Sequence, residues 1–420
     1  FLINGVVFPD GTPKPALYTC KYVYQPIEFA MVDSDALRIS LKNRNFHQST
    51  ADYTYSWEIK DESKVLQKGV FTVPVLAPGE SAEVVIPAKK IAYKAGVAYM
   101  LNVYAHEAKN LPYAAAGHVN SSEQFVLSEL PAAPVKVSGK APVVSESDSE
   151  VSVKAGKVTV TIDKTSGYLA GYHDGMHQLI KAPFAPNFWR AELDNDWRGW
   201  KAGIYLKDWK TAQDNLASTT AQISYKVEGS TAVVTVLRDI HSGKATLTLS
   251  YTVYPDGKLN VAYDLQIAET TLEPLRVGLQ GQIARVCDNI TYFGHGPEEN
   301  YSDRYHGQFL GMWKSTVEDM MIQYVYPQEN GNRTDVRWIL CADDKGRGLV
   351  FLGTQPLSVS AWNTTQAELQ DAMHIGEPAV LADSFVLNVD SATNNCNISS
   401  TKNTQSVFYI IRINDGSNKG

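Results

Sequence analysis

Three groups of side chains carry the chemistry open to this sequence. The first is Asp194-Asn195-Asp196 with Trp197, Trp200 and Trp209 close behind: short acceptors that hold sugar hydroxyls, next to flat apolar rings on which a sugar packs. The second is Gln328, Glu329, Asn330, Asp335, Arg337 and Trp338, polar groups suited to meeting hydroxyls from one face of a concave sheet. The third is the adjacent pair Glu298-Glu299. A retaining glycosidase holds two carboxyl groups about 5–5.5 Å apart. Neighbours in a strand point to opposite faces, and a loop leaves both solvated, so Glu299 is expected instead to pair with Arg304 and brace a loop. The first two groups each keep a structural alternative: Asp194 to Asp196 capping a turn while the tryptophans fill an interface, and a satisfied loop-to-strand network around Glu329. His295, His306 and His374 lack ligand spacing, which argues against a metal site.

Strands must position these groups. Leu37, Ile39 and Leu41 alternate with Arg38, Ser40 and Lys42, and Tyr53, Tyr55, Trp57 and Ile59 alternate with Thr54, Ser56, Glu58 and Lys60. That period of two belongs to half-buried strands. With breaks at Asp61 to Ser63, Pro78-Gly79 and Lys94 to Gly96, residues 1–129 predict an immunoglobulin-like β-sandwich. Residues 130–150, carrying Pro131, Pro134, Pro142 and a Ser/Glu/Asp-rich stretch, predict a linker. Beyond it, Leu247 to Val253 and Leu259 to Leu265 flank Pro255-Asp256-Gly257, a long hairpin with a clear turn signal. Thr365-Gln366-Ala367-Glu368 has the spacing of a capping box and predicts a short helix to about His374. Residues 151–420 therefore predict a second all-β body, a large antiparallel β-sandwich or barrel. The strand-and-helix alternation of a β/α barrel, which takes about 250 residues, is missing.

Composition narrows the function classes. Lys+Arg 38 against Asp+Glu 45 leaves a net charge of −7 over 420 residues, with the signs interspersed, which argues against a nucleic-acid partner. No apolar run approaches bilayer length, so no membrane partner is expected. Cys20, Cys287, Cys341 and Cys396 stand far apart without a C-x-x-C pair, predicting buried free thiols. Periplasmic, secreted and cytoplasmic locations all stay open. The chain opens on Phe1, and Phe1 to Val7 lacks the basic flank and apolar core of a signal peptide, so it reads as the continuation of a longer protein.

Four stretches, in order, resemble one family. Asn4 to Leu17 continues into Lys21-Tyr22-Val23-Tyr24-Gln25-Pro26-Ile27. Phe188-Trp189-Arg190-Ala191-Glu192-Leu193-Asp194-Asn195-Asp196 is similar to an R-A-P-x-D-N-D motif, with Glu192 at the usual Pro. Gly294-His295-Gly296-Pro297-Glu298-Glu299-Asn300-Tyr301-Ser302-Asp303-Arg304 and the run from Pro327 to Trp338 complete the set. Together they resemble the C-terminal part of lac-type β-galactosidases, glycoside hydrolase family 2.

The resemblance implies an immunoglobulin-like fourth domain and a fifth domain that is a large antiparallel β-sandwich of galactose-mutarotase-like type. It also implies that hydrolysis of terminal β-D-galactosides belongs to the full-length retaining enzyme. The two catalytic carboxylates, and the Mg and Na that many members use, would lie in a barrel ahead of Phe1, leaving this chain with no catalytic residue and no cofactor. The implied partners are a β-galactoside, that N-terminal catalytic barrel, and a second copy in a homo-oligomer. In the family the loop after D-N-D lies beside the active-site mouth and shifts as substrate moves inward. The matching region begins at Gly199 with Trp200, which makes Arg190, Asp194, Asn195, Asp196, Gly199 and Trp200 candidate substrate-binding residues, with Glu329, Asn330 and Arg337 as a second set. One departure bears on specificity. The Gly-rich stretch that supplies an aromatic residue to the galactose pocket is replaced by Leu387 to Asn397, where Cys396 takes the place that Cys holds in some members. Two alternatives remain: a stand-alone carbohydrate-binding module gripping glycan through its tryptophans, and an aldose 1-epimerase-like enzyme, which needs a His and a carboxylate converging in one pocket.

Overall fold

A computed structural model gives the fold and describes residues 5–129, 138–393 and 403–413. Two compact units emerge, one of residues 1–135 with 304–312 and one of residues 136–303 with 313–420. The segment 304–312, which breaks the larger unit's chain, groups with the smaller one.

Among the described residues the smaller unit has seven strands: β1 (Ile27–Asp33), β2 (Arg38–Asn43), β3 (Tyr53–Asp61), β4 (Val65–Phe71), β5 (Ser81–Val85), β6 (Ala98–Glu107) and β7 (Val119–Glu129). They form antiparallel sheets of order β1-β2-β5 and β4-β3-β6-β7, the two-sheet form of an immunoglobulin-like sandwich. The alternation in β3 is real: Tyr53, Tyr55, Trp57 and Ile59 are buried and meet Ile27, Ile39, Leu41 and Val103 in one core. One helix, Pro15–Val23, precedes the sandwich. It was not expected from periodicity, and its local signal is Pro15 at the first helical turn, where a missing N–H costs nothing.

The larger unit is one antiparallel sheet. Its strands are β8 (Val143–Glu146), β9 (Glu150–Ala155), β10 (Val158–Asp163), β11 (Leu169–His173), β12 (Ile180–Asn187), β13 (Gln222–Glu228), β14 (Thr231–Ile240), β15 (Ala245–Val253), β16 (Leu259–Ile267), β17 (Arg276–Ala284), β18 (Asn289–Gly296), β19 (Phe309–Thr316), β20 (Arg333–Ala342), β21 (Gly348–Trp362), β22 (Ser384–Thr393) and β23 (Asn403–Ile413). The order is β13-β14-β15-β16-β23-β21-β22-β17-β12-β11-β10-β9-β8, with β18, β19 and β20 branching beside β21. The two ends nearly close: Tyr225 on β13 donates to Glu146 on β8 at 2.9 Å. The predicted hairpin is β15–β16, paired from Ala245↔Ile267 to Val253↔Leu259, with every second residue buried.

Part of the predicted linker is sheet. Val143–Glu146 pairs with β9, and Val144 packs on the main core. Four residues are too few for alternation to show, and the open edge of β9 recruits them. Thr365 caps a helix as expected, its hydroxyl accepting from Glu368 N, but that helix runs Gln366–Asp371 and stops short of His374.

Candidate functional site

The chain leaves β12 through Phe188, Trp189, Arg190 and Ala191, all buried. Arg190 reaches six residues ahead and grips Asp196 with both guanidinium nitrogens, Nη1–Oδ2 at 2.8 Å and Nη2–Oδ1 at 3.1 Å, with both side chains closed to solvent. Such a two-pronged pair fixes orientation as well as charge. The same carboxylate accepts from Leu193 N (2.8 Å) and from Trp200 Nε1 (3.3 Å). It thereby closes a wide π-type turn over Asn195–Gly199, a form that recurs where a chain is shaped for function. Asp196 is therefore the turn's keystone.

Around this buried anchor the rest of the motif is open. Asp194, Asn195, Gly199 and Trp200 are exposed. Asp194 meets Arg198 only at 3.9 Å. A side chain at Gly199 would touch nothing nearer than Asn195 Cβ at 4.0 Å, so packing does not demand glycine there. Trp197 (40% exposed) and Trp200 (39%) present their rings to solvent. Trp197 stacks on Tyr326 with centroids 6.4 Å apart and planes at 25°, and the Arg198 guanidinium lies 4.3 Å over it. Trp209, grouped with them from sequence, belongs to the core instead. It is 3% exposed, packs on Phe188, and donates to Leu272 O at 2.6 Å. The stretch expected as a loop is coiled into short helices, Ala202–Tyr205, Lys207–Lys210 and Ala212–Ala217. Their apolar positions Ala202, Leu206, Trp209, Ala212 and Leu216 are buried. Glu192, standing where the family pattern has Pro, accepts from Lys210 at 2.7 Å and Gln370 at 3.2 Å, while its own N–H donates to Gln370 at 3.0 Å.

Glu329 comes beside this motif, its N–H reaching Ala191 O at 3.4 Å. It accepts from Arg276 Nη2 at 2.6 Å, and Arg276 Nε lies 3.1 Å from Asp390. All three side chains have no exposed surface. Two carboxylates thus converge, but on an arginine in the interior, where no glycoside reaches them. Burial raises the Glu329 pKa, with Arg276 and Arg190 pulling the other way. The two carboxylates raise that of Arg276 against the cost of its own burial. Asn330 is spent on structure: Nδ2 donates to Gln328 O, Oδ1 accepts from Ile322 N, and its carbonyl accepts from Trp362 Nε1. The next residue turns the chain with φ +75°, and a Cβ on Gly331 would come 2.7 Å from Met320 O, so only glycine fits.

Arg337 engages a different set, Asp335 at 2.7 Å, and His295 lies 3.5 Å from that same carboxylate. Glu299 is buried and accepts from Tyr324 and Gly331 N, both at 2.7 Å, as a loop brace does. Cys396 falls outside the described residues. Cys287 and Cys341 are buried free thiols, and Cys20 is half-buried and free. Among the described residues no group of three or more His, Cys, Asp and Glu is placed to hold a metal ion.

Sequence reasoning missed Arg276, Asn388, Asp390, Trp362 and Tyr326. The signal was present in Leu387-Asn388-Val389-Asp390. These residues of β22 are buried throughout, so its period of two separates an apolar from a polar interior face. On the polar side Asn388 accepts from Gln280 and donates to Ser360, and Gln366 accepts from Asn187.

Family models match both units of the chain. The family model for the β-galactosidase small chain matches residues 154–405, and that for β-galactosidase domain 4 matches residues 39–128. The β-galactosidase of Priestia megaterium is 28% identical over 376 residues, covering 89% of this chain and 36% of that protein. β-Galactosidase 2 of Enterobacter cloacae is 31% identical over 350 residues, covering 80% and 34%. The chain thus spans about a third of the length of the curated relatives it matches. Among solved structures, a galactose 1-epimerase from Lactobacillus acidophilus aligns over 66% of this chain and 98% of its own, with 8% identity and a TM-score of 0.37. With the small-chain model covering more than half of its residues and the domain 4 model ahead of it in the same order, the chain belongs to the β-galactosidase small-chain family and corresponds to the C-terminal region of such enzymes.

Proposed function

We propose that this chain is the non-catalytic C-terminal portion of a β-galactosidase, and that residues 190–209 shape the mouth of a site whose two catalytic carboxylates belong to a barrel elsewhere in the protein. The carrying observation is the buried Arg190–Asp196 ion pair in a turn that leaves Trp197 and Trp200 exposed, with Trp197 stacked on the half-buried Tyr326. A charge pair closed to solvent holds the turn in one geometry, and the exposed rings offer the flat apolar faces on which sugars pack. The converging carboxylates Glu329 and Asp390 are both occupied by Arg276 and sealed from solvent, which leaves glycoside cleavage to other residues. Any Mg or Na that the enzyme uses would likewise belong to the barrel.

The test is hydrolysis of a chromogenic galactoside by residues 1–420 alone and by the protein that carries the barrel. Turnover is expected only from the second. Turnover by the fragment would overturn the division of labour. A stand-alone carbohydrate-binding module draws on the same rings and predicts glycan binding by the isolated chain that is lost in Trp197→Ala/Trp200→Ala. The epimerase reading gains nothing from His295 or His374: Asp335 beside His295 is shared with Arg337, and the His374–Glu377 pair is on the open surface.

A further inference from the structure

A cavity of about 470 Å³ opens in the larger unit, and none of Trp197, Trp200 and Tyr326 lines it. Its volume falls within the range of about 300–1,000 Å³ typical of small-molecule sites. Three pieces of chain frame it: the helix Lys207–Lys210, the turn 241–244 joining β14 to β15, and the segment 268–272 between β16 and β17.

The walls are of two kinds. Tyr205 is 65% exposed and Leu272 is 55% exposed, an aromatic ring and an aliphatic side chain at the rim. The lining also includes the hydroxyl-bearing residues Ser242, Thr270 and Thr271 and the ion pair of Lys244 with Asp208. That pair cancels its own charge, so the cavity is polar without favouring either sign. Apolar surface for C–H faces together with a rim of neutral donors and acceptors is what a saccharide needs.

The lip is rigid. His241, Ser242 and Gly243 carry φ of 49°, 54° and 90°, a left-handed run that costs the two non-glycine residues energy and persists only where the surroundings enforce it. Here they do. His241 N donates to Asn215 Oδ1 at 2.8 Å, Gly243 N donates to Asp239 Oδ1 at 2.8 Å, and His241 Nε2 lies 2.7 Å from the carbonyl of Asp208. A carbonyl only accepts, so His241 holds its proton on Nε2 and is spent as a strut. The strain is fixed around the Ser242 hydroxyl, which the turn carries at the cavity edge.

We propose that this cavity is a second carbohydrate site, taking a neutral mono- or disaccharide with Tyr205 as the stacking face and Lys244, Ser242 and Thr271 as hydroxyl partners. It borrows Tyr205, Leu206, Asp208 and Trp209 from the end of the 190–209 stretch but uses neither Trp197 nor Trp200, on which the reading of the mouth rests.

The experiment is calorimetric titration of lactose, and separately galactose, into residues 1–420 and three variants whose fold is checked by circular dichroism. Saturable binding is expected to weaken roughly ten-fold or more in Tyr205→Ala and in Lys244→Met, and to persist in Trp197→Ala/Trp200→Ala. Both single changes fall on exposed side chains. Three results overturn the proposal: no saturable binding of either sugar, binding lost only in the double tryptophan variant, or binding unchanged in all three. Because turnover by the barrel-bearing protein is read separately, failure here leaves the assignment of the mouth untouched.

Discussion

Arg276 holds two buried carboxylates, and removing it is the sharpest perturbation the structure offers. Glu329 at 2.6 Å and Asp390 at 3.1 Å share one guanidinium, and no atom of the three side chains is exposed. Breaking one buried pair costs about 3–5 kcal/mol, mostly from the charge left unpaired. Here one change strands two charges, so Arg276→Met is expected to lose at least the top of that range, non-additively because the partners are coupled. Met keeps part of the stem and so limits the cavity contribution. Arg276→Lys keeps the charge but not the fork and is expected to lose about 1–3 kcal/mol. The assay is urea unfolding followed by tryptophan fluorescence, since the buried Trp362 ring lies 5.5 Å from this guanidinium. With two compact units the curves are fitted with separate transitions.

The pH dependence fixes the cause. The folded Glu329 pKa is raised above its unfolded value, so the native state binds the proton more readily. Its share of stability falls as pH rises from the unfolded carboxylate range, about 4–5, through the folded value. Without Arg276 the folded value climbs further. The deficit of Arg276→Met must therefore grow from about pH 5 to pH 8. A deficit under about 1 kcal/mol, or one equal at both pH values, would refute the reasoning that an interior ion triad holds this face together.

Four further outcomes are expected. Glu192→Pro restores the family's usual residue but removes the acceptor of Lys210 and the N–H given to Gln370. It should cost about 1–3 kcal/mol and speed hydrogen exchange across residues 193–210. Trp200→Ala in the barrel-bearing enzyme should raise KM several-fold with the unfolding midpoint of this region unchanged, whereas an unchanged KM would remove Trp200 from the mouth. Ser242→Gly relieves a left-handed residue and should stabilise the larger unit by about 1 kcal/mol, read as a shift in the denaturation midpoint. Burial pushes the Cys287 thiol up to about 11 and that of Cys341 further. Both should resist alkylation at pH 8 when mapped by mass spectrometry. Because the unfolded thiols ionise near pH 8.5 and the native ones do not, their contribution to stability falls as pH rises above that value.

Much of the fold was written locally. The alternation in β3, β15 and β16, the turn Pro255-Asp256-Gly257 and the Thr365 cap each depend on residues within one element, and each formed. What local pattern missed was set by neighbours. Val143–Glu146 became a strand because the edge of β9 was open to it, and the 202–217 stretch coiled because its apolar side chains found the core. The same division runs through the site. The motif resemblance singled out Arg190, Asp194, Asn195 and Asp196 and placed three tryptophans nearby, but did not pair Arg190 with Asp196. It had no means of separating Trp209, which faces inward, from Trp197 and Trp200, which face out. Nor did it join Arg276 to Glu329, 53 residues on, or to Asp390, a pairing that depends on β17 and β22 lying side by side. The residue types determined which elements form and which charges must find partners. The order of strands in the sheet decided who those partners are, because a buried charge is satisfied by whatever the closed sheet brings within hydrogen-bonding reach, however far away along the chain.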